Sequence, residues 1–402
     1  MAAMSKAEFS RVSPQDRLGS LDAYRGFVML LMMGEALHLS EVAAAVPGSA
    51  LLRVLAWHQT HVEWIGCSLH DLIQPSFSFL VGAALPFSLA SRSGSGLSRS
   101  QIFAQAMKRA LILILIGIFL RSVGQPLTTF TFEDTLTQIG LGYGFLVLLG
   151  WTSPRMQWLA LAVLLIGTWL VFALHPLPPA GFDRTAVGVP LDWPHWLSGF
   201  AAHWNKNANF AAHFDVWFLN LFPREKPFVF NDGGYATLSF VPTLATMILG
   251  LIAGNVLRSP LTKTDKIGWL ILAGCATLVV GLLLGRSGIS PIVKRIWTPS
   301  WVLFSGGWCF LILAGFYAVL DGFGWRRWAF PLLVIGMNSI AAYVLTELLR
   351  EPLREIVKPH VGLATHWLTG PAYQPLLSGM VVIVLLWLAL FWMYRRRMFL
   401  RV

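Results

Sequence analysis

Apolar residues run along the chain in long blocks divided by short polar connections. Ten such blocks can be drawn, at 21–39, 69–90, 104–121, 135–151, 156–174, 236–257, 266–285, 301–320, 329–346 and 375–394. Each has roughly the 20 residues that carry a helix across a hydrocarbon core. A spanning segment must satisfy its own backbone hydrogen bonds, so every block is predicted to be helical. Residues 1–20 are polar and form an N-terminal segment. The first block already carries Asp22 and Arg25, unlike a cleavable signal peptide. One connection is long, 175–235, and no short repeat or low-complexity linker divides the chain. The expected architecture is an all-α polytopic membrane protein, one integral-membrane domain over 1–402 built as a bundle of about ten transmembrane helices.

Composition agrees with that pattern and removes other classes. Of 402 residues, 56% are apolar and 12% charged, about half the charged share of a soluble domain. The excess of 30 Lys and Arg over 19 Asp and Glu reads as topology and not as nucleic-acid binding. With the N-terminus inside, the inner segments hold Lys6, Arg11, Arg17, Arg92, Arg99, Lys108, Arg109, Arg155, Arg258, Lys263, Lys266, Arg326, Arg327 and the tail Arg395, Arg396, Arg397 and Arg401. Both termini are then cytoplasmic and 175–235 is periplasmic or luminal; an integral inner-membrane protein is expected. Cys67, Cys275 and Cys309 form neither a disulfide framework nor a CxxC pair. Membrane lipids are the obvious partner.

Charges inside the apolar blocks are costly and mark candidate sites. Asp22 and Arg25 share a helix face. They form an interfacial ion pair, or else Arg25 faces an anionic ligand. Glu35, near the outer end of the same block, is a partner for a polar cluster or an exposed carboxylate. HQTHVEWIGCSLHDLIQP packs His58, His61, Glu63, His70 and Asp71 just outside the second block. Three readings fit it: a metal site, which lacks a recognised ligand spacing; a polar interfacial loop; or a histidine base oriented by Asp71, since imidazole takes and returns a proton near neutrality. Lys294, Arg295 and Trp297 bring positive charge and an aromatic face to the outer end of the eighth block. GMNSIAAY places Asn338 within the ninth, followed by Tyr343 and Glu347, an internal polar network or a simple bridge between helices. The long connection is rich in Trp (193, 196, 204 and 217) and His (175, 195, 203 and 213). Interfacial helices would explain it, as would a cap with flat rings for a sugar or lipid acceptor. Gly140–Gly144 and Gly250–Gly254 fit close helix packing.

Five segments together resemble the heparan-α-glucosaminide N-acetyltransferase-like membrane acyltransferases. They are SLDAYRG (Ser20–Gly26), HVEWIGCSLHDLIQPSFSFLVG (His61–Gly82), FVPTLATMILGLIAG (Phe240–Gly254), KRIWTPSWVLFSGG (Lys294–Gly307) and GMNSIAAYVLTE (Gly336–Glu347). The resemblance implies a transmembrane acyltransferase fold. It also implies transfer of an acetyl group from cytosolic acetyl-CoA to an amino-sugar or glycan acceptor across the membrane, and makes a homodimer plausible. In the family the histidine matching His61 is catalytic. Glu35 stands where the family has an Asn, and TLTQIG (Thr135–Gly140) lacks the basic residue common in the fourth span, so a different acceptor is expected.

The resulting expectations are specific. His61 and Asp71 carry catalysis, as base or acyl carrier and its orienting carboxylate. Glu35, Trp64, Lys294, Trp297, Asn338, Tyr343 and Glu347 hold substrate, with Asn338, Trp64 and Lys294 as candidate oxyanion donors. Arg25, Lys108, Arg109 and Arg258 meet the phosphates of acetyl-CoA, the acyl donor. No metal is expected. The rival reading is a transporter or flippase with Arg25, Glu35 and Glu347 along a solute path, although no inverted repeat or paired broken helices point to one.

Overall fold

A computed structural model describes the backbone of residues 18–368 and 370–400 and, apart from 363–368, their side chains. Lys6, Arg11, Arg17 and Arg401 lie outside the described residues. The helices in chain order are α1 (Gly19–Met33), α2 (Leu39–Ala45), α3 (Ala50–Gln59), α4 (Ile73–Gly94), α5 (Arg99–Ser122), α6 (Thr135–Gly150), α7 (Pro154–Ala173), α8 (Phe210–Leu219), α9 (Phe240–Arg258), α10 (Lys263–Arg286), α11 (Pro299–Tyr317), α12 (Phe330–Gly336), α13 (Ser339–Leu368) and α14 (Gln374–Arg395).

Among the described residues, seven segments are long and apolar enough to cross a membrane alone, and two bent pairs raise the number to as many as nine. The first bent pair is Gly19–Leu37 with Leu39–Ala45, turning 42°, and the second is Arg327–Gly336 with Ser339–Gly362, turning 71°. The remaining expected span, 135–151, is the shorter apolar helix α6. All ten predicted blocks therefore correspond to helices. The differences lie at the ends. His38, at φ +45°, breaks the first block. The ninth block does not stop at 346 but continues as α13 through Pro352 and Pro359, carrying Arg350 and Arg354 inward.

Sequence chemistry sets many of these boundaries. Ser98 and Gln101 form a reciprocal cap on α5, Asp134 accepts from two first-turn amides of α6, and Thr298 caps α11 with Pro299 in its first turn. The polar connections at 95–98, 151–153 and 259–262, with the residues after α14, lie at one end of the bundle. The 60–71 loop, the start of α6 and the 287–298 loop lie at the other. The 175–235 connection is folded. Trp204, Phe172, Trp64 and Val293 form a small apolar core of their own beneath it, and the Trp64 indole N–H donates to Trp204 O at 3.1 Å.

In hydrocarbon, helix association depends on close packing, and small residues permit it. A Cβ at Gly250 would stand 1.9 Å from Phe79 O, and one at Gly82 only 1.8 Å from Met247 O, so α4 and α9 touch backbone to backbone. Gly26 and Gly336 do the same for α1 and α12, with Cβ positions 1.9 Å from Leu332 O and Asp22 O. Fully buried Phe79, Leu249, Trp301 and Phe310 fill the space around the α4–α9 seam. Gly250→Val forces that seam apart. The expected outcome is a loss of about 3 kcal/mol or more, at the upper end of overpacking costs, read as a lowered Tm and a lost monodisperse peak in detergent.

Candidate active site

The 60–71 loop is held against the 290–298 loop by backbone contacts. Ile65 and Val293 form a β-bridge, and Gly66 N donates to Ile292 O at 3.1 Å. Gly66 has φ +123°, which only glycine adopts without strain. On the facing loop Thr298 Oγ accepts from Val293 N at 3.1 Å and lies 2.7 Å from Pro291 O. Trp297 N closes a turn onto Lys294 O at 2.9 Å. Trp297 itself sits at φ +52°, an outlier for so bulky a residue, and its indole N–H is anchored on Thr246 Oγ at 3.0 Å. Arg295 ties the same loop to Gly233 O at 2.7 Å and Val62 O at 3.3 Å. Two segments more than 200 residues apart are thereby locked together, and they present His61, Asp71 and Lys294 to one another.

Asp71 is buried, its side chain 1% exposed. Its Oδ2 accepts from Val62 N at 3.2 Å and from Ser68 N and Ser68 Oγ at 3.0 Å. Its Oδ1 lies 2.8 Å from His61 Nδ1 and 3.3 Å from Lys294 Nζ. With that carboxylate as acceptor, Nδ1 carries the ring proton and Nε2 keeps a lone pair. His61 is recessed but not sealed, at 37% side-chain exposure, and opens onto a cavity of about 240 Å³. Burial, reinforced by the Lys294 ammonium 3.0 Å from Nδ1, holds its pKa down at about 4 against the opposing pull of Asp71. The imidazole is therefore neutral at pH 7.

Of the sequence-predicted residues, the cavity gathers His61, Glu35, Lys294, Tyr343 and Glu347 on its wall, with Asp71 directly behind His61. Trp64 and Trp297 are buried in the seams beside it, 0% and 1% exposed, and do not line it. Asn338 lies near the tail end of the bundle. Its amide donates to Met398 O at 3.0 Å and accepts from Leu400 N at 3.2 Å, clasping the residues after α14. Nine residues separate it from Glu347, about 13 Å of helix. Arg25 pairs with Asp22 at 2.9 Å, Arg109 lies over the Tyr143 ring at 5.2 Å, and Lys108 and Arg258 are exposed on the tail-side halves of α5 and α9.

The cavity also holds groups that carried no assigned role. His70 donates toward Glu35 at 2.8 Å and its ring lies 4.5 Å from that of His61. Arg350 pairs with Glu35 from the far side, while Arg121, Glu133, Asp134 and Tyr235 complete the polar wall. The spacing of Arg350 and Arg354 in LLREPLRE was a visible signal. They meet Glu35 and Glu41, but they fell beyond the expected end of the ninth span.

No family model matches the chain. Heparan-alpha-glucosaminide N-acetyltransferase of Mus musculus is 24% identical over 380 residues, covering 85% of this chain and 55% of that protein. The Homo sapiens protein of the same name is 24% identical over 368 residues, covering 82% of this chain and 52% of its own length. The chain thus spans about half the length of the curated relatives it matches.

The geometry makes one direct prediction. Lys294→Met removes a cation that depresses the His61 pKa, so the folded-state value rises from about 4 toward its ordinary 6.5. Titration of ¹⁵N-labelled imidazole by NMR should show the upward move, and an unmoved His61 would refute the electrostatic account. The similarity runs over most of the chain and agrees with the five motifs above; the chain is similar to proteins named heparan-alpha-glucosaminide N-acetyltransferase.

Proposed function

We propose that the protein transfers an acetyl or related short acyl group from acyl-CoA to an amine or hydroxyl acceptor bound in the cavity beside His61. The observation that carries this reading is the His61–Asp71–Lys294 cluster: an imidazole on the wall of a charged cavity, with its Nδ1 2.8 Å from a buried carboxylate that an ammonium also meets. Similarity to proteins named N-acetyltransferases supports the same chemistry.

His61 Nε2 takes the acceptor's proton as its nitrogen or oxygen forms a bond to the thioester carbonyl carbon. The imidazolium so formed is stabilised by Asp71 across the 2.8 Å contact. The carbonyl π electrons move onto oxygen, and a remaining Lys294 N–H is a candidate donor to that oxyanion. Collapse breaks the carbon–sulfur bond, and His61 returns its proton to the leaving thiolate. A route through an acyl-His61 intermediate uses the same groups.

A cavity of about 240 Å³ suits the thioester end and a small acceptor, not a nucleotide. The donor's phosphates belong at the opposite end of the bundle, which we assign to the cytoplasm. There Arg25, Lys108, Arg109 and Arg258 supply positive charge, together with a recess lined by Arg395 and Arg397. The acceptor, an amino sugar or glycan, enters from the periplasmic or luminal side.

His61→Ala in membranes given radiolabelled acetyl-CoA should lower label transfer by at least about 100-fold, the usual contribution of a general base. Undiminished transfer would overturn the assignment. The base works only when neutral, so wild-type activity should be flat through neutrality and fall as pH drops through about 4. In Lys294→Met the same acid limb should move to higher pH.

A further inference from the structure

Two charged side chains on the cavity wall are left without a direct partner. Arg121, in the last turn of α5, and Glu347, on α13, both line the cavity with His61. Among the described residues neither makes a hydrogen bond or an ion pair. Arg121 feels Glu133 and Asp134 ahead of Glu347, and Glu347 feels Arg350 ahead of Arg121, yet none of these charges closes on Arg121 or Glu347 as an ion pair. Their neighbours are committed elsewhere. Glu35 is taken by His70 and Arg350, and Lys294 by Asp71. Asp134 is taken by the first turn of α6, and Glu133 by Thr131 and Asn231 at 2.8 and 2.9 Å.

A cation and an anion kept apart in the recess that holds the candidate base are arranged for a ligand bringing the opposite charges. We propose that Arg121 and Glu347 select the acceptor: Glu347 takes its ammonium group and Arg121 an acidic group on the same molecule, so zwitterionic amines are the preferred class. This rests on the acyl-transfer reading above and makes the reaction N-acylation.

The protons balance. An ammonium must lose one proton before its nitrogen can attack. Glu347 accepts it as the N–H bond breaks, leaving a neutral amine. The second proton passes to His61 Nε2 during attack and then to the departing thiolate. Glu347 releases the first to water as the amide product leaves, so each turnover delivers one proton to solvent. A hydroxyl acceptor would need only His61 and would leave Glu347 idle.

The test compares glucosamine with glucosamine 6-phosphate and muramic acid, which add a phosphate and a carboxylate. Full-length protein in detergent is used, with two readouts. Thermal shift without acyl donor, in wild type and in His61→Ala, should show larger stabilisation by the two acidic amines than by glucosamine. Acetyl transfer should show kcat/KM higher by about tenfold for the acidic amines, the scale of one charge-assisted hydrogen bond. Arg121→Gln should lower kcat/KM for the acidic amines about tenfold and narrow their advantage, with Arg121→Lys recovering part of it. Glu347→Gln should move the pH optimum for amines upward, because only acceptor already deprotonated in solution remains usable. Preference for phosphate over carboxylate, or the reverse, identifies which acidic group the site takes. Equal use of glucosamine and its acidic analogues, or an equal loss for all three in Arg121→Gln, would overturn the proposal alone. Charge-selective binding with no transfer from acetyl-CoA would overturn the acyl-transfer reading while leaving the selecting pair in place.

Discussion

A buried carboxylate cannot be left alone in a membrane protein, and Asp71 determines much of what surrounds it. With 1% of its side chain exposed, it needs donors on every side. It draws two backbone amides and a hydroxyl from its own loop, an imidazole from ten residues earlier and an ammonium from a loop 223 residues later in the sequence. Removing one member of such a buried ionic set typically costs about 3–5 kcal/mol. The arrangement is therefore structural as well as chemical: the contacts that compensate Asp71 also fix the tautomer of His61 and bring Lys294 close enough to keep that ring neutral.

The helices serve this arrangement by carrying loops to the right height. α4 and α9 touch backbone to backbone through Gly82 and Gly250, which fixes the start of α4 and hence Asp71 relative to the helices around it. Thr246 of α9 holds the Trp297 indole, and Trp297 closes the turn that displays Lys294. A contact deep in the bundle thus sets the position of a lysine at its end. The folded 175–235 connection acts on the outer side, where Trp204 receives the Trp64 indole N–H and buries the loop between His61 and Asp71.

Around the cavity the charges sort by commitment. Glu35, His70 and Arg350 form one compensated set beside His61. It braces the broken end of the first helix against α13, where Glu41 and Arg354 add a second tie at 2.8 Å. Arg121 and Glu347 remain available to a ligand. Glu35 thus has a structural counterpart in Arg350, which keeps its negative charge from standing alone beside His61.

Much was legible in the order of residues. Long apolar blocks demand helices, because hydrocarbon offers no other partner for a backbone, and all ten blocks became helices. Glu35 stood out as a charge near the end of the first apolar block, His61, Asp71 and Lys294 as polar clusters at block ends, and Tyr343 and Glu347 by following Asn338, and they meet on or directly behind one cavity wall. Trp64, Trp297 and Asn338 were expected to hold substrate beside them, yet they sit in seams or near the tail, since sequence reveals that a polar group needs a partner but not which partner. Arg350 and Arg121 had no role in the sequence reading, because periodicity does not say how far α13 continues or which way a terminal turn faces. Those matters were decided by packing: close backbone contacts set the heights of helices, heights set which loops meet, and only then do residues hundreds of positions apart come within hydrogen-bonding distance.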